Sequence, residues 1–369
     1  MIIKRWSLIY KQRRFLSTNN DVSTAEYYFE NGLRKVKPYY YNFHAFTKKR
    51  MLGQTVLNTF LTEYRGRSED YYGLITVNDE QVNCETVLKH NDQITHKIHR
   101  HEPPVSDQPI RIVHEDNELI VIDKPGSIPV HPSGRYRHNT IVHIMTKEMG
   151  YNTLYPINRL DTMTSGLMLI AKSSERAGEV KKELRERTVE KEYICKVTGC
   201  FPSERTICEA PMKQLSFLVP LNYVHPTGKD CKTIFERLSY DGKTSLVRCK
   251  PLTGRTHQIR VHLRYLGFPI ANDPVYGYST PWSDFFPLGP LENPEEIVQS
   301  MIDCTPFDYM LDPFEKSDLP RCQECRVPII QKDPVHQNLA LWLHAVKYSG
   351  NKWTYESPLP AWTGNSLIQ

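Results

Sequence analysis

Five consecutive apolar residues, Leu167-Met168-Leu169-Ile170-Ala171, stand between Gly166 and the polar stretch Lys172-Ser173-Ser174. A run this short is too brief for a buried helix, and it has no apolar/polar alternation that would leave one face to water. It predicts a strand covered on both sides, so the chain must supply a layered sheet around it. Ser173 or Ser174 can cap a following helix whose Ala177, Val180 and Leu184 face inward, with charged residues outside. Upstream, Ile110–His114 and Leu119–Asp123 read as a hairpin around Glu115-Asp116-Asn117-Glu118. Downstream, β-branched and aromatic strands recur at 189–199, 231–239 and 244–250. Thr256 is positioned to cap a helix carrying Ile259, Leu263 and Leu266 and ending at Gly267. Strands among isolated helices, without a regular βαβ repeat, predict an α+β fold with a mixed, mainly antiparallel sheet.

At 369 residues the chain exceeds one average domain. No run of about eighteen apolar residues occurs, which argues against a membrane partner. Nine cysteines are scattered without a framework spacing, as expected of a reducing compartment. The net charge of +5 is unevenly distributed. Residues 1–20 hold Lys4, Arg5, Lys11, Arg13 and Arg14 and no acid, a start of mitochondrial-presequence type, with a basic RNA-binding arm as the alternative. Residues about 279–334 hold nine of the 26 prolines and eleven acids against four bases, and read as an insertion before the chain returns at Leu339–Ala345. The rest of the chain is therefore basic, as a nucleic-acid-binding face requires.

Two local motifs carry the chemistry. Asn158-Arg159-Leu160-Asp161-Thr162-Met163-Thr164-Ser165-Gly166-Leu167 sets one carboxylate between an arginine and a small-residue turn. About ninety residues on comes Leu252-Thr253-Gly254-Arg255-Thr256-His257-Gln258-Ile259-Arg260-Val261-His262-Leu263. Together and in this order they resemble the RluA family of pseudouridine synthases, which isomerise uridine within RNA. The resemblance covers about residues 28–278 and 339–362 and implies a catalytic domain over 105–369, with the acidic insertion inside it.

The chemistry fits a single carboxylate. A glycosidase needs an acid for the leaving alcohol and a base for water, but uracil leaves as an anion and water is excluded. The resemblance makes Asp161 the catalytic residue, attacking C1′ or removing the C2′ proton. In a closed pocket its charge needs a buried guanidinium, and the resemblance makes Arg255 that partner, with a phosphate contact as the alternative. His257, Arg260, His262 and Arg264, with no acid between 251 and 264, read as phosphate contacts; Arg260 and Arg264 share a face at i, i+4. Tyr193 matches the aromatic that would stack on the uracil and take the C5 proton. Its alternation with Cys195 and Val197 equally suits a core position. The target base must be flipped out of its stack, and Arg159 matches the residue that fills the gap. Asn158 stands where many bacterial members have histidine, so no acid–base role is assigned there.

The aromatic and basic block Tyr28–Tyr41 resembles the lead-in of the family's eukaryotic branch, which includes enzymes acting on tRNA position 32. Residues 21–100 are expected to hold this lead-in and a small S4-like RNA-binding module. That module has a helix through Leu52, Val56, Leu57, Phe60 and Leu61, strands at 72–78 and 92–98, and a linker at His99–Pro104. Cys322 and Cys325 have the spacing of half a zinc site, with Cys304 and His336 as conceivable further ligands; one pair is insufficient, and no metal is assigned. No phosphate loop or dinucleotide fingerprint occurs, so no cofactor is implied. The expectation is a monomeric, cofactor-independent synthase in the mitochondrial matrix, acting on tRNA at position 32 and not on DNA. The alternatives are a synthase for mitochondrial ribosomal RNA and a non-catalytic RNA-binding protein on the same scaffold.

Overall fold

The structure, a computed structural model, describes residues 25–63, 75–215, 221–278, 320–325, 329, 333–335 and 339–364. The presequence at 1–20 and most of the insertion lie outside the described residues, as do Cys304 and His336. Among the described residues there are four α-helices: α1 (Val56–Glu63), α2 (Ile141–Met149), α3 (Ser174–Glu186) and α4 (Gln258–Tyr265). None is long and apolar enough to cross a membrane.

The apolar run forms the strand Ser165–Ala171, buried from Gly166 onward. Its side chains alternate between two cores. Met168 and Ile170 pack with Ile141, Ile144 and Met145 of α2, while Leu167, Leu169 and Ala171 pack with Ala177 and Val180 of α3. Helices on both faces explain why neither face of the run carries a polar residue. Ser173 caps α3, its Oγ accepting from the Arg176 amide at 3.2 Å.

This strand sits within a ten-stranded sheet. On one side is the hairpin of Leu119–Lys124 and Arg111–Glu115. On the other the order runs Leu343–Ser349, Glu190–Thr198, Thr244–Pro251, Thr233–Tyr240 and Thr206–Cys208. Two short strands, Tyr155–Pro156 and Thr354–Glu356, pair at the flanks. Every ladder is antiparallel but one: Ser165–Ala171 runs parallel to Leu343–Ser349, pairing Ser165 with His344 and Gly166 with Ala345. Gly166 allows that approach, because a Cβ there would stand 2.3 Å from the Ala345 carbonyl oxygen and its φ is +106°. The return at Leu339–Ala345 thus becomes a central strand, and the fold is α+β with a mixed, mainly antiparallel sheet.

The N-terminal residues form two smaller sheets. Tyr27–Glu30 pairs with Leu33–Val36, which pairs with Val105–Ser106. Tyr39–Phe46, Gln93–Arg100, Ile75–Val77 and Glu80–Gln81 form the other, over a core of Met51, Val56, Phe60, Leu88 and Ile94. The expected linker at 99–104 begins late, since His99 and Arg100 are still in strand, paired with Tyr40 and Tyr39. The expected cap at Thr256 is also absent. The N-cap of α4 is His257, in the left-handed region at φ 59°, with no side-chain cap.

Candidate active site

A cleft of about 550 Å³ opens where the 158–164 loop, the strand Glu190–Thr198, the start of α4 and Tyr348 meet. The loop is held from below. Asn158 Oδ1 accepts from the Leu169 amide at 2.8 Å, and its Nδ2 donates to the Tyr348 hydroxyl at 3.3 Å. The Tyr348 and Tyr193 hydroxyls are 2.8 Å apart. Burial pushes the Tyr193 phenol up to about 12, so it is neutral at physiological pH. Tyr193 belongs to both descriptions the sequence allowed: it packs against two cores and also lines the cleft.

Lys124, which sequence reasoning did not single out, is wholly buried beneath this loop. Its Nζ donates to the carbonyls of Pro125 (2.8 Å), Ile128 (2.9 Å) and Thr162 (3.2 Å), tying the loop that carries Asp161 to the hairpin. Burial pulls its pKa down to about 7, against the opposing pull of Asp161 and Asp123. No sequence signal distinguishes it from a surface lysine except its place at the end of a strand that opens with four apolar residues, Leu119–Ile122, followed by Asp123.

Asp161 is accessible from the cleft, its side chain 31% exposed. The guanidinium that faces it belongs to Arg260, with Nη1 3.5 Å from Oδ2, and not to Arg255. Arg255 lies exposed before α4, where its Nη2 reaches the Asp230 carbonyl at 3.4 Å. The reason is the local path of the chain. Gln258 is buried, and its Oε1 accepts from the Arg255 amide (3.0 Å) and from Thr253 Oγ1 (2.8 Å). The left-handed turn at His257 then starts α4 so that its first turn, with Arg260, lies under the carboxylate. Arg260 is clamped from behind by Asp273, at 2.7 Å from Nε and 2.8 Å from Nη2. Burial opposes its charge, but Asp273 and Asp161 together hold its pKa above the ordinary value.

The phosphate-contact reading of 257–264 is corrected as well. His257 Nε2 is 3.7 Å from Asp161 Oδ2 and its Nδ1 is 3.0 Å from the Tyr276 hydroxyl. Burial lowers its pKa despite the carboxylate, which favours a neutral ring. His262 is a core histidine between Thr233 Oγ1 and the Ala210 carbonyl. Arg264 is buried with its guanidinium over the Tyr278 ring. An amphipathic reading failed because seven residues of this short helix, Gln258–Arg264, are all buried.

Other residues supply the cationic surface. Arg159, Arg185, Arg187, Lys191 and Arg255 line the cleft together with Arg260, and Asp161 is the one carboxylate among its lining residues. Arg185 and Arg187 come from the end of α3, whose charges looked like a solvated face. A lone acid surrounded by guanidinium and ammonium groups suits a polyanionic substrate, whose phosphates the rim attracts while the base reaches the carboxylate.

Comparison with known proteins agrees with this geometry. Residues 118–265 match the family described as RNA pseudouridylate synthase. "Pseudouridylate synthase RPUSD2" of Mus musculus is 39% identical over 95% of this chain and 76% of its own length. "tRNA pseudouridine(32) synthase, mitochondrial" of Saccharomyces cerevisiae is 39% identical over 91% of this chain and 78% of its own. "tRNA pseudouridine(31) synthase" of the same yeast is 35% identical over 92% and 98%.

Proposed function

Because the chain belongs to the family of RNA pseudouridylate synthases, we propose that it isomerises uridine to pseudouridine in tRNA, at position 32 of the anticodon arm, in mitochondria. The observation that carries the chemistry is Asp161, an accessible acid facing a buried guanidinium inside a cationic cleft. The position and the compartment are supported by the yeast relative named for both, and the compartment by the basic, acid-free residues 1–20. Position 31, for which the second yeast relative is named, is the second reading.

In this proposal the enzyme is a monomer of the matrix, and residues 21–100 add RNA contacts. The target nucleotide is turned out of its stack into the cleft, Arg159 takes its place, and the rim cations hold the flanking phosphates. The Asp161 carboxylate adds to C1′ or removes the C2′ proton, the C1′–N1 bond breaks, and uracil departs as an anion. Arg260 faces the carboxylate and orients it, with the neutral His257 ring beside it. The uracil turns against Tyr193, and C5 joins C1′ as the Asp161–C1′ bond breaks, or as the Asp161 carboxylic acid returns its proton to C2′. The C5 proton then passes by way of the Tyr193–Tyr348 hydroxyls to N1. No atom is gained or lost overall, and water is not consumed.

The test is pseudouridine mapping of mitochondrial and cytosolic RNA from cells with and without the protein, paired with purified enzyme on tRNA transcripts. Loss of the mark at position 32 of mitochondrial tRNAs is expected. Loss at position 31 promotes the second reading, loss only in ribosomal RNA overturns the tRNA assignment, and no loss anywhere overturns the activity.

A further inference from the structure

We propose that His99, His101, Cys322 and Cys325 form a zinc site that pins the acidic insertion to the N-terminal module. The ligand atoms of these four side chains all lie within 4.8 Å of one another. They come from two segments with spacings suited to one metal. His99 lies in the strand Gln93–Arg100 and His101 directly follows its end, two residues on, a spacing that in extended chain places both on one face. Cys322 and Cys325 form a Cys-x-x-Cys pair, the common donor spacing of structural zinc sites.

One edge of the cluster already has the length a bound ion requires. Cys322 Sγ is 3.6 Å from His99 Nδ1. A tetrahedral ion with Zn–S of about 2.3 Å and Zn–N of about 2.0–2.1 Å separates sulfur from nitrogen by about 3.6 Å. The other nitrogen of His99 has a carboxylate nearby, Glu324 Oε2 at 3.9 Å, beyond hydrogen-bond distance but favourable in charge. His101 Nε2 is buried and has no hydrogen-bond partner among the described residues, a costly state for a ring nitrogen unless something occupies the space before it. Cys325 is only 2% exposed. Two thiolates and two neutral imidazoles cancel the charge of a divalent ion, so the filled site is neutral and suits partial burial.

Sulfur and imidazole ligands in a four-coordinate set select zinc over the hard cations, and with all four positions taken by protein the site is structural. Its consequence is a cross-link between residues 223 apart in sequence. Two further contacts, Tyr40 to Glu324 and Lys35 to Asp333 at 2.9 Å, hold the same insertion against the same module. Between the histidines, Arg100 faces the opposite way and donates to the carbonyls of Gly134 (3.0 Å) and Arg135 (2.9 Å). The metal therefore steadies three pieces of chain at once: the N-terminal sheet, the insertion and the 131–137 loop.

The experiment measures metal in the full chain purified without chelator and, separately, after anaerobic reconstitution with zinc or cobalt. About one zinc per chain is expected, with the cobalt form showing the visible bands of a tetrahedral thiolate complex. Cys322→Ser/Cys325→Ser and His99→Asn/His101→Asn should lose the metal, and Cys84→Ser should keep it. Chelation should lower the melting temperature of the wild-type protein and leave that of the cysteine variant unchanged. A wild-type protein that is folded yet takes up neither metal, or that carries a Cys322–Cys325 disulfide by mass spectrometry, overturns the proposal. The cobalt spectrum is read on wild type, so the outcome stands even if a variant fails to fold.

Discussion

Replacing Arg260 by lysine separates the two arginines that could serve the catalytic acid. The Arg260 head group holds Asp273 with two bonds of 2.7 and 2.8 Å and faces Asp161 at 3.5 Å with its remaining nitrogen. A lysine keeps one charge on one nitrogen and follows the closer, fully buried Asp273, leaving Asp161 without its counter-ion. At 3.5 Å the lost attraction is about 5 kcal/mol for an effective dielectric of about 20 and about 1 kcal/mol at the dielectric of water. Asp161 is partly exposed and Arg260 is not, so the value falls between these limits. The carboxylate is held less firmly by that amount, and the single-turnover rate falls by about 10- to 10³-fold. Single-turnover tritium release from tRNA labelled at uridine C5, with enzyme in excess over RNA, reads that rate directly. Lysine is chosen because an apolar residue would strand Asp273 and cost about 3–5 kcal/mol of stability. Arg255→Ala is the companion variant: it should weaken tRNA binding, with a smaller salt dependence, and leave the saturated single-turnover rate in place. If Arg255→Ala lowers the saturated rate and Arg260→Lys does not, the assignment of the counter-ion is wrong.

Three further outcomes follow from the same contacts. Asp161→Asn should lower the single-turnover rate by at least about 10³-fold while tRNA affinity changes little; comparable activity in the variant would remove Asp161 from the chemistry. Gly166→Ala, which sets a Cβ 2.3 Å from the Ala345 carbonyl oxygen at a φ of +106°, should destabilise the protein by about 4 kcal/mol or more in urea unfolding. A loss below about 1 kcal/mol would mean that the parallel pair tolerates separation. His344 is buried between Ser165 and Ser357, and burial pulls its pKa from 6.5 down to about 4. The unfolded chain therefore binds the extra proton first. The stability this ring contributes is whole above about pH 6.5 and declines by about 3 kcal/mol as pH falls through about 4. His344→Gln should flatten the stability profile in that window, and an unchanged slope there would assign the acid sensitivity to other groups.

The amino-acid sequence by itself determined the central strand, the α+β class and the candidate for the catalytic acid. These are local: an apolar run without alternation can only be a doubly covered strand, and the Asp161 motif is contiguous. It did not determine which cation meets that acid. Arg255 and Arg260 stand in one motif, and the choice follows from a left-handed residue at His257, a buried Gln258 and an Asp273 thirteen residues downstream. The rim cations Arg185 and Arg187 read as solvent-facing because a helix pattern says which face is polar and not what lies opposite that face. The same limit hid the partners of Cys322 and Cys325: the spacing of one pair is written in the chain, but two histidines more than two hundred residues earlier come beside it only when the insertion lies against the N-terminal sheet. Side-chain type and local period are properties of a segment, whereas counter-ions and ligand sets are properties of distance in space, and only the packed tertiary structure decides those.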